Sequence, residues 1–368
     1  MYWIPALVLL LILGGYTIYK KGNWTYVILP LLAGIMLSAL IVFIDYSVKT
    51  TDTEVWSGRV VDWKHIEEWD EWHPPVTTCS SDGNGNETCS TTPGYYEHHD
   101  AENYIVTTDG GPIFVSQAPD GTSFDDNYPN HTEELMKYWP YGTPTASTHT
   151  YVNKVKASYS IYKHKDIDVS EFPDLPDYPK NNRDYINIDR IIGDVPQRDS
   201  ALQLLAEKNA ELNKMIPDPV NPGKKRSWKQ VNMIFVNVGA DKPIEYGYAL
   251  QDKWKDGNKN DFVVAFSLND KNQVDWVYPF SWSEVEILKL EVRDYLLNLQ
   301  EIDDFNKVVE DVSMMVANKF ERKEFADFNY LQIEASPWVS VVIVILHIVI
   351  GIAALTKQSQ YIHERKWR

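Results

Sequence analysis

The chain of 368 residues has room for two domains of ordinary size, each able to bury a core. Its net charge of −17 argues against nucleic acid as a partner, because phosphate binding needs clustered basic side chains. Apolar residues gather at the two ends. The middle is charged and turn-rich, and most of the 13 Trp and 22 Tyr fall there, residues that serve cores, interfaces and membrane boundaries alike.

The first apolar segment, Tyr2 to Tyr19, holds no charge and would rise about 27 Å as a helix, close to the hydrocarbon thickness of a bilayer. It has neither a charged leading region nor a small-residue cleavage site before Lys20 and Lys21, so it reads as a span rather than a signal peptide. A second apolar run, Tyr26 to Tyr46, follows the short loop Lys20-Lys21-Gly22-Asn23. The expectation is a transmembrane helical hairpin over residues 1–47. A third run, Trp338 to Leu355, is interrupted by His347 and leads to a tail with Lys357, Arg365, Lys366 and Arg368. Residues 336–368 thus read as a span with a basic tail.

Short basic flanks stay in the cytoplasm. Placing both the Lys20-Lys21 loop and the tail there predicts three transmembrane helices, with the N-terminus outside and residues 48–335 periplasmic or extracellular. His347 reads as a residue facing the helix bundle, with a proton or ion path as the alternative. Subtracting the +1 of residues 1–47 and the +3 of residues 336–368 from −17 leaves −21 on the central body. Such a surface is soluble and repelled by anionic lipid, and it can attract divalent cations or a basic partner.

The chain has two cysteines, Cys79 and Cys89, separated by a polar, glycine-containing stretch that readily closes a disulfide. Exported domains keep such bonds. A metal-binding pair is the alternative, without further Cys or CxxC spacing to support it.

Residues 48–165 read as a small antiparallel β domain. Short strand-like runs such as Val55–Val61 and Tyr104–Thr108 recur between turn signals, and Thr107-Thr108-Asp109-Gly110-Gly111-Pro112-Ile113-Phe114-Val115 reads as a hairpin. His98-His99-Asp100, with Glu97, Glu102, His65 and His73 nearby, offers metal-ligand chemistry. Adjacent His98 and His99 on a strand point to opposite faces, so at most one can serve a given site. Asp82-Gly83-Asn84-Gly85-Asn86-Glu87 imitates half of a calcium loop but lacks its later glycine and glutamate. Glycosylation sequons start at Asn86 and Asn130.

Residues 166–335 read as an α/β sandwich. A Pro- and Asp-rich strap, Phe172–Pro179, precedes a helix over Ser200–Met215 and a buried strand over Gln230–Val238. A helix over Ile244–Trp254, strands over Asp261–Leu268 and Gln273–Val277, and helices over Ser283–Leu299 and Asp303–Phe320 follow. Ser283-Glu284-Val285-Glu286 has the spacing of a capping box.

The run IEYGYALQDKWKDGNKNDFVVAFSLNDKNQVDWV, followed by two helices and a membrane anchor, resembles the TPM domain, with Trp254, Gly257, Asn260 and Asp261 carrying the likeness. The resemblance implies an exported, membrane-anchored α/β domain of an envelope; some members of that family are described as acid phosphatases or photosystem repair factors. The chain departs from the family pattern in carrying Val277-Tyr278-Pro279-Phe280 where a glycine-rich turn is usual. The whole chain also resembles uncharacterised phage and bacterial membrane proteins with a VWSGRVV segment, a TYVNKVKAS element (Thr150 to Ser158) and the KWKDGNKND element.

Together these signals predict an α+β membrane protein with a large extracytoplasmic acidic domain, a non-catalytic interaction or assembly module bound to the lipid bilayer and to other envelope proteins or itself. Two alternatives stand beside it. One is a metal-dependent phosphatase that the TPM resemblance implies, with Asp256, Asp261 and Asp270 holding a divalent cation such as calcium. The other is a subunit of a membrane transport complex. No nucleophile elbow, Gly-rich phosphate loop or dinucleotide fingerprint occurs.

Overall fold

A computed structural model describes residues 3–81, 87–124, 130–158, 163–164, 166–179, 182–183, 186–323, 328 and 330–366. In chain order the first half comprises α1 (Ile4–Lys20), α2 (Thr25–Thr50), β1 (Thr51–Ile66), β2 (Trp69–His73), β3 (Val76–Ser81), β4 (Glu87–Thr92), β5 (Tyr95–His99), β6 (Glu102–Thr107), β7 (Gly111–Phe114), α3 (His131–Tyr138), β8 (Pro144–Val152) and α4 (Lys154–Ala157). The second half comprises β9 (Asn182–Arg183), β10 (Asn187–Ile188), β11 (Ile191–Ile192), α5 (Arg198–Leu212), β12 (Met215–Pro217), β13 (Lys225–Ser227), β14 (Asn232–Asn237), α6 (Glu245–Trp254), β15 (Asp261–Leu268), β16 (Val274–Ser281), α7 (Glu286–Leu299), α8 (Phe305–Lys319) and α9 (Pro337–Lys366). The chain divides into two compact units. One comprises Met1–Asp52, Thr150–Lys163 and Glu324–Arg368, and the other Thr53–His149 and His164–Lys323.

In the first unit, α2 (26 residues) and α9 are long and apolar enough to cross a membrane, whereas α1, at 17 residues, is shorter. All three pack together around Leu9, Leu13, Val27 and Ala354. Close approach of the helices depends on small residues. A side chain at Gly351 would meet Leu9 at 3.0 Å, and one at Gly34 would meet the His347 ring at 3.0 Å. His347 is buried against α2 and donates through Nδ1 to Ile343 O at 2.8 Å within its own helix. It faces the bundle, as its sequence context suggests.

The two ends of this bundle differ in chemistry. At one end the α1–α2 turn carries Lys20 and Lys21, with Lys21 in the left-handed conformation that ends α1 and Gly22 N–H donating to Thr17 O at 2.8 Å. The C-terminal part of α9 lies against that turn: Gln358 donates to Thr17 Oγ1 at 2.6 Å and Arg365 to Lys21 O at 3.4 Å. At the other end Asp45 of α2 accepts from Ser336 N and Oγ at 2.9 and 2.7 Å, just before Pro337 opens α9. Lys49 donates there to Glu334 O at 2.7 Å.

In the second unit, β11, β14 and β15 run parallel and β16 antiparallel to β15, in the order β11-β14-β15-β16. Strict alternation sends Met233, Phe235, Phe262, Val264 and Phe266 to one face, where α5, α7 and α8 cover them. Ile234, Val236, Val263 and Ala265 go to the other, under α6 and the Phe172–Tyr178 strap. The strap is fixed by Lys253 Nζ donating to Leu175 O at 2.7 Å and Trp254 Nε1 to Pro176 O at 3.1 Å.

Two details depart from the sequence reading. Strand β16 runs on through Tyr278-Pro279-Phe280 to Ser281 rather than stopping at Val277. Pro279 is tolerated because β16 is the edge strand and needs no donor on its outer side. The capping box does not form. Helix α7 starts at Glu286 with no side-chain cap: the Ser283 oxygen accepts from Val285 N at 3.2 Å rather than from Glu286 N, its hydroxyl donates to Glu321 O at 3.2 Å, and its backbone bridges to Arg322.

Residues 53–149 build a sheet ordered β7-β6-β1-β8. The β6–β7 hairpin closes at Asp109-Gly110-Gly111, with Gly111 at φ 68° supplying the positive angle the turn requires. From this sheet β1 and β6 continue outward as one ribbon. The pairs Ile66↔Glu102, Trp69↔His99, His73↔Tyr95, Val76↔Thr92 and Cys79↔Cys89 share a single register, equidistant from Asn84. The paired segments run from Ile66 to Ser81, interrupted at residues 67–68 and 74–75. A two-stranded ribbon is marginal in water, and the Cys79–Cys89 disulfide joins its strands near the tip. The calcium-like turn and the Asn86 sequon lie outside the described residues. Asn130 caps α3, accepting from Thr132 N at 3.1 Å.

Candidate functional site

Two places hold the side chains that sequence reasoning marks for chemistry. The first is the loop between α6 and β15. Lys255, Asp256 and Gly257 all adopt positive φ (53°, 64° and 74°), so the chain reverses sharply out of α6. The loop turns back on Asp261, which is fully buried. One carboxylate oxygen accepts from Asn232 Nδ2 at 2.8 Å and Tyr178 OH at 3.1 Å, and the other from Asn258 N at 2.8 Å. A carboxylate with donors on both oxygens stitches the loop to β14 and the strap. Burial first, then the Asp261 charge, pushes the Tyr178 phenol up, which keeps it a donor. The Arg190 guanidinium, also buried, is drawn down to about 10 by desolvation against the opposing pull of Tyr178, Asp109 and Asp261.

Asp256 lies on the same loop, where its Oδ1 accepts from Gln251 Nε2. Gln251 Oε1 in turn takes the Tyr278 hydroxyl at 2.5 Å. Burial raises the Asp256 carboxyl above its ordinary value, against the lowering effect of that Gln251 bond and of Lys289. Asp270 is exposed in the β15–β16 turn. Asp261 opens β15 and Asp270 lies two residues beyond its last, Leu268, which puts them about 25–30 Å apart along the strand. Asp256, Asp261 and Asp270 therefore do not meet around one ion. Asp261 and Asp270 sit at opposite ends of the strand that separates them.

The raised Asp256 pKa gives a signed expectation. Folding is favoured while the carboxyl is protonated, so this contribution is present below about pH 4 and is lost as pH rises through the folded value. Asp256→Asn keeps the acceptor for Gln251 and tolerates φ 64°. The variant should melt higher than the parent at pH 7, the gap closing near pH 4. A constant gap across that range would show that proton linkage is not its cause.

The second place is the ribbon formed by β2 and β5. Alternation puts Trp69, Glu71, His73, Tyr95, Glu97 and His99 on one face and Asp70, Trp72, Tyr96 and His98 on the other. His98 and His99 thus point oppositely, as their adjacency requires. On the second face His98 Nδ1 donates to Asp70 at 2.8 Å, a bond that raises the imidazole above its ordinary range. On the first face Glu71 and Glu97 are directly opposed. His73 Nε2 reaches Glu97 Oε2 at 2.9 Å and Glu71 Oε2 at 3.9 Å, while His99 Nε2 reaches Glu71 Oε2 at 3.3 Å. Among the described residues, the ligand atoms of Glu71, His73 and Glu97 form a group within 4.8 Å of one another. Tyr95 stacks on His73 at 4.7 Å and 16°, and Trp69 stacks on His99 at 4.3 Å and 11°. Trp69, Trp72, Tyr95 and Tyr96 are exposed.

Sequence reasoning picked out His99, Glu97 and His73 but centred the cluster on His98-His99-Asp100, and it missed Glu71 and the register that joins them on one face. The signal it could have used is the repeated Glu-x-His, Glu71-x-His73 and Glu97-x-His99, one copy on each side of the cysteine pair. No family model, curated protein or solved structure matches the chain.

Proposed function

We propose that the chain is a membrane-anchored envelope protein whose acidic body lies outside the cytoplasm and serves as an interaction or assembly module. The observation that carries this reading is the polarity of the helix bundle. The Lys20-Lys21 turn lies beside the basic C-terminal end of α9, as Arg365 donating to Lys21 O records. Three spans with the basic end in the cytoplasm send the chain between α2 and α9 to the far side. The Cys79–Cys89 disulfide suits that compartment. The exposed Trp and Tyr of the ribbon give the body a surface with which to meet other envelope proteins or a second copy.

Single cysteines test the arrangement, since the native pair is already bonded. An impermeant maleimide applied to intact cells should modify Asp270→Cys and leave Ser359→Cys unmodified until lysis. Protection of both until lysis, or modification of both beforehand, overturns the topology. A photo-crosslinking residue at Trp72 should yield a higher-mass adduct in intact cells. Its absence there and at Tyr96 overturns the interaction role.

A further inference from the structure

We propose that the Glu71, His73, Glu97 and His99 face of the ribbon is a binding site for one divalent transition-metal ion, with zinc or copper as the favoured class. The reading is independent of the topology and partner assignments above.

The register is the first argument. Glu71 and Glu97 form a directly opposed cross-strand pair, and like charges in that position are destabilising. A cation between them removes the repulsion. Each glutamate also has a histidine on its diagonal, His99 for Glu71 and His73 for Glu97. The set is two imidazoles and two carboxylates related by the two-fold pattern of an antiparallel pair.

Distances are the second. Ligand atoms at roughly 2.0–2.2 Å from a tetrahedral ion lie about 3.4 Å from one another. Glu71, His73 and Glu97 already bring ligand atoms within 4.8 Å of one another, His73 Nε2 lying 2.9 Å from Glu97 and 3.9 Å from Glu71, whereas His99 Nε2, 3.3 Å from Glu71, stands outside that group and has to swing inward to become the fourth ligand. Each histidine ring is held flat by a stacked aromatic, Tyr95 on His73 and Trp69 on His99. These stacks orient the first ligands much as outer partners do at established sites.

Ligand type decides the metal. Calcium takes six to eight oxygen ligands, whereas mixed imidazole and carboxylate donors suit zinc, copper or nickel. His98 serves as an internal control, because it sits on the opposite face with Asp70. A bound ion would cross-brace the ribbon between the sheet and the disulfide, closing a second link across two strands that have little core of their own.

The untagged full-length chain in detergent, stripped of metal, should bind one equivalent of zinc by calorimetry. With copper(II) it should show nitrogen hyperfine splitting from two imidazoles. His73→Ala and His99→Ala should each weaken zinc binding by roughly 10- to 100-fold, and His98→Ala should leave it unchanged. Millimolar calcium should not displace the ion. Amides of β2 and β5 should exchange more slowly with zinc present. Unchanged zinc binding in the His73→Ala/His99→Ala double variant overturns the site. So does loss of binding in His98→Ala, or no stoichiometric binding by the parent chain.

Discussion

Replacing Asp261 with alanine is expected to unfold much of the acidic body rather than to remove one ligand. The carboxylate is fully buried and accepts from Asn232, Tyr178 and the Asn258 amide. Removing it takes the acceptor from the buried Asn258 amide and the half-buried Tyr178 hydroxyl, leaves Asn232 Nδ2 only its longer bond to the Tyr178 oxygen, and deprives the buried Arg190 of one of its negative neighbours. Each unsatisfied group costs about 1–3 kcal/mol, and an uncompensated buried charge costs about 3–5 kcal/mol. A loss of 4 kcal/mol or more is about half the total stability of an ordinary domain. Chemical denaturation of the detergent-solubilised chain, followed by tryptophan fluorescence, should show an early transition or none. Asp261→Asn, which keeps one acceptor but turns an amide toward Asn258 N–H, should fall between the two. Parent-like stability in Asp261→Ala would refute the structural role. An activity assay on this variant therefore has meaning only beside a folding measurement.

The fate of Asp261 marks the boundary of what was legible. Its strand was readable because an unbroken apolar run follows a turn rich in Asp, Gly and Asn, and β15 spans Asp261–Leu268 as that pattern implies. Whether Asp261 serves a ligand or a loop depends on who donates to it. Two of its donors, Tyr178 and Asn232, come from distant segments whose approach no local pattern records. The ribbon shows the same limit in another form. Its strands carry clear β signals, but Pro74-Pro75 and Pro93-Gly94 break them into pieces that read as separate elements. Once Cys79 and Cys89 are seen as a register pair, every other pair follows by counting from Asn84. The Glu-x-His face then appears. Two segments picked out by resemblance also turn out to touch. Asn260 of KWKDGNKND donates to Val55 O of VWSGRVV at 2.7 Å.

That contact leads to a second large expected effect, at Glu54. It lies near the start of β1, beside Val55, and is almost fully buried. One carboxylate oxygen meets Lys259 Nζ at 3.2 Å and the other Arg322 NH2 at 3.1 Å. Lys259 precedes Asn260, and Arg322 follows α8, so one glutamate ties β1 to the α6–β15 loop and to the segment closing the α/β core. The Glu54 carboxylate is the anion that lets these two cations sit side by side. Glu54→Ala leaves two half-buried positive groups facing each other, a change expected to cost about 3–5 kcal/mol. For a body of this size that corresponds to a melting point lower by about 10 °C. Arg322→Ala removes one cation and leaves the Glu54–Lys259 pair, so it should cost less. Combined with Glu54→Ala it should recover part of the loss, because one of the two facing cations is gone. A double-mutant cycle with strictly additive effects would show that Glu54 and Arg322 do not act as a unit. A Glu54→Ala chain that melts with the parent would show that β1 is held by its strand pairing alone.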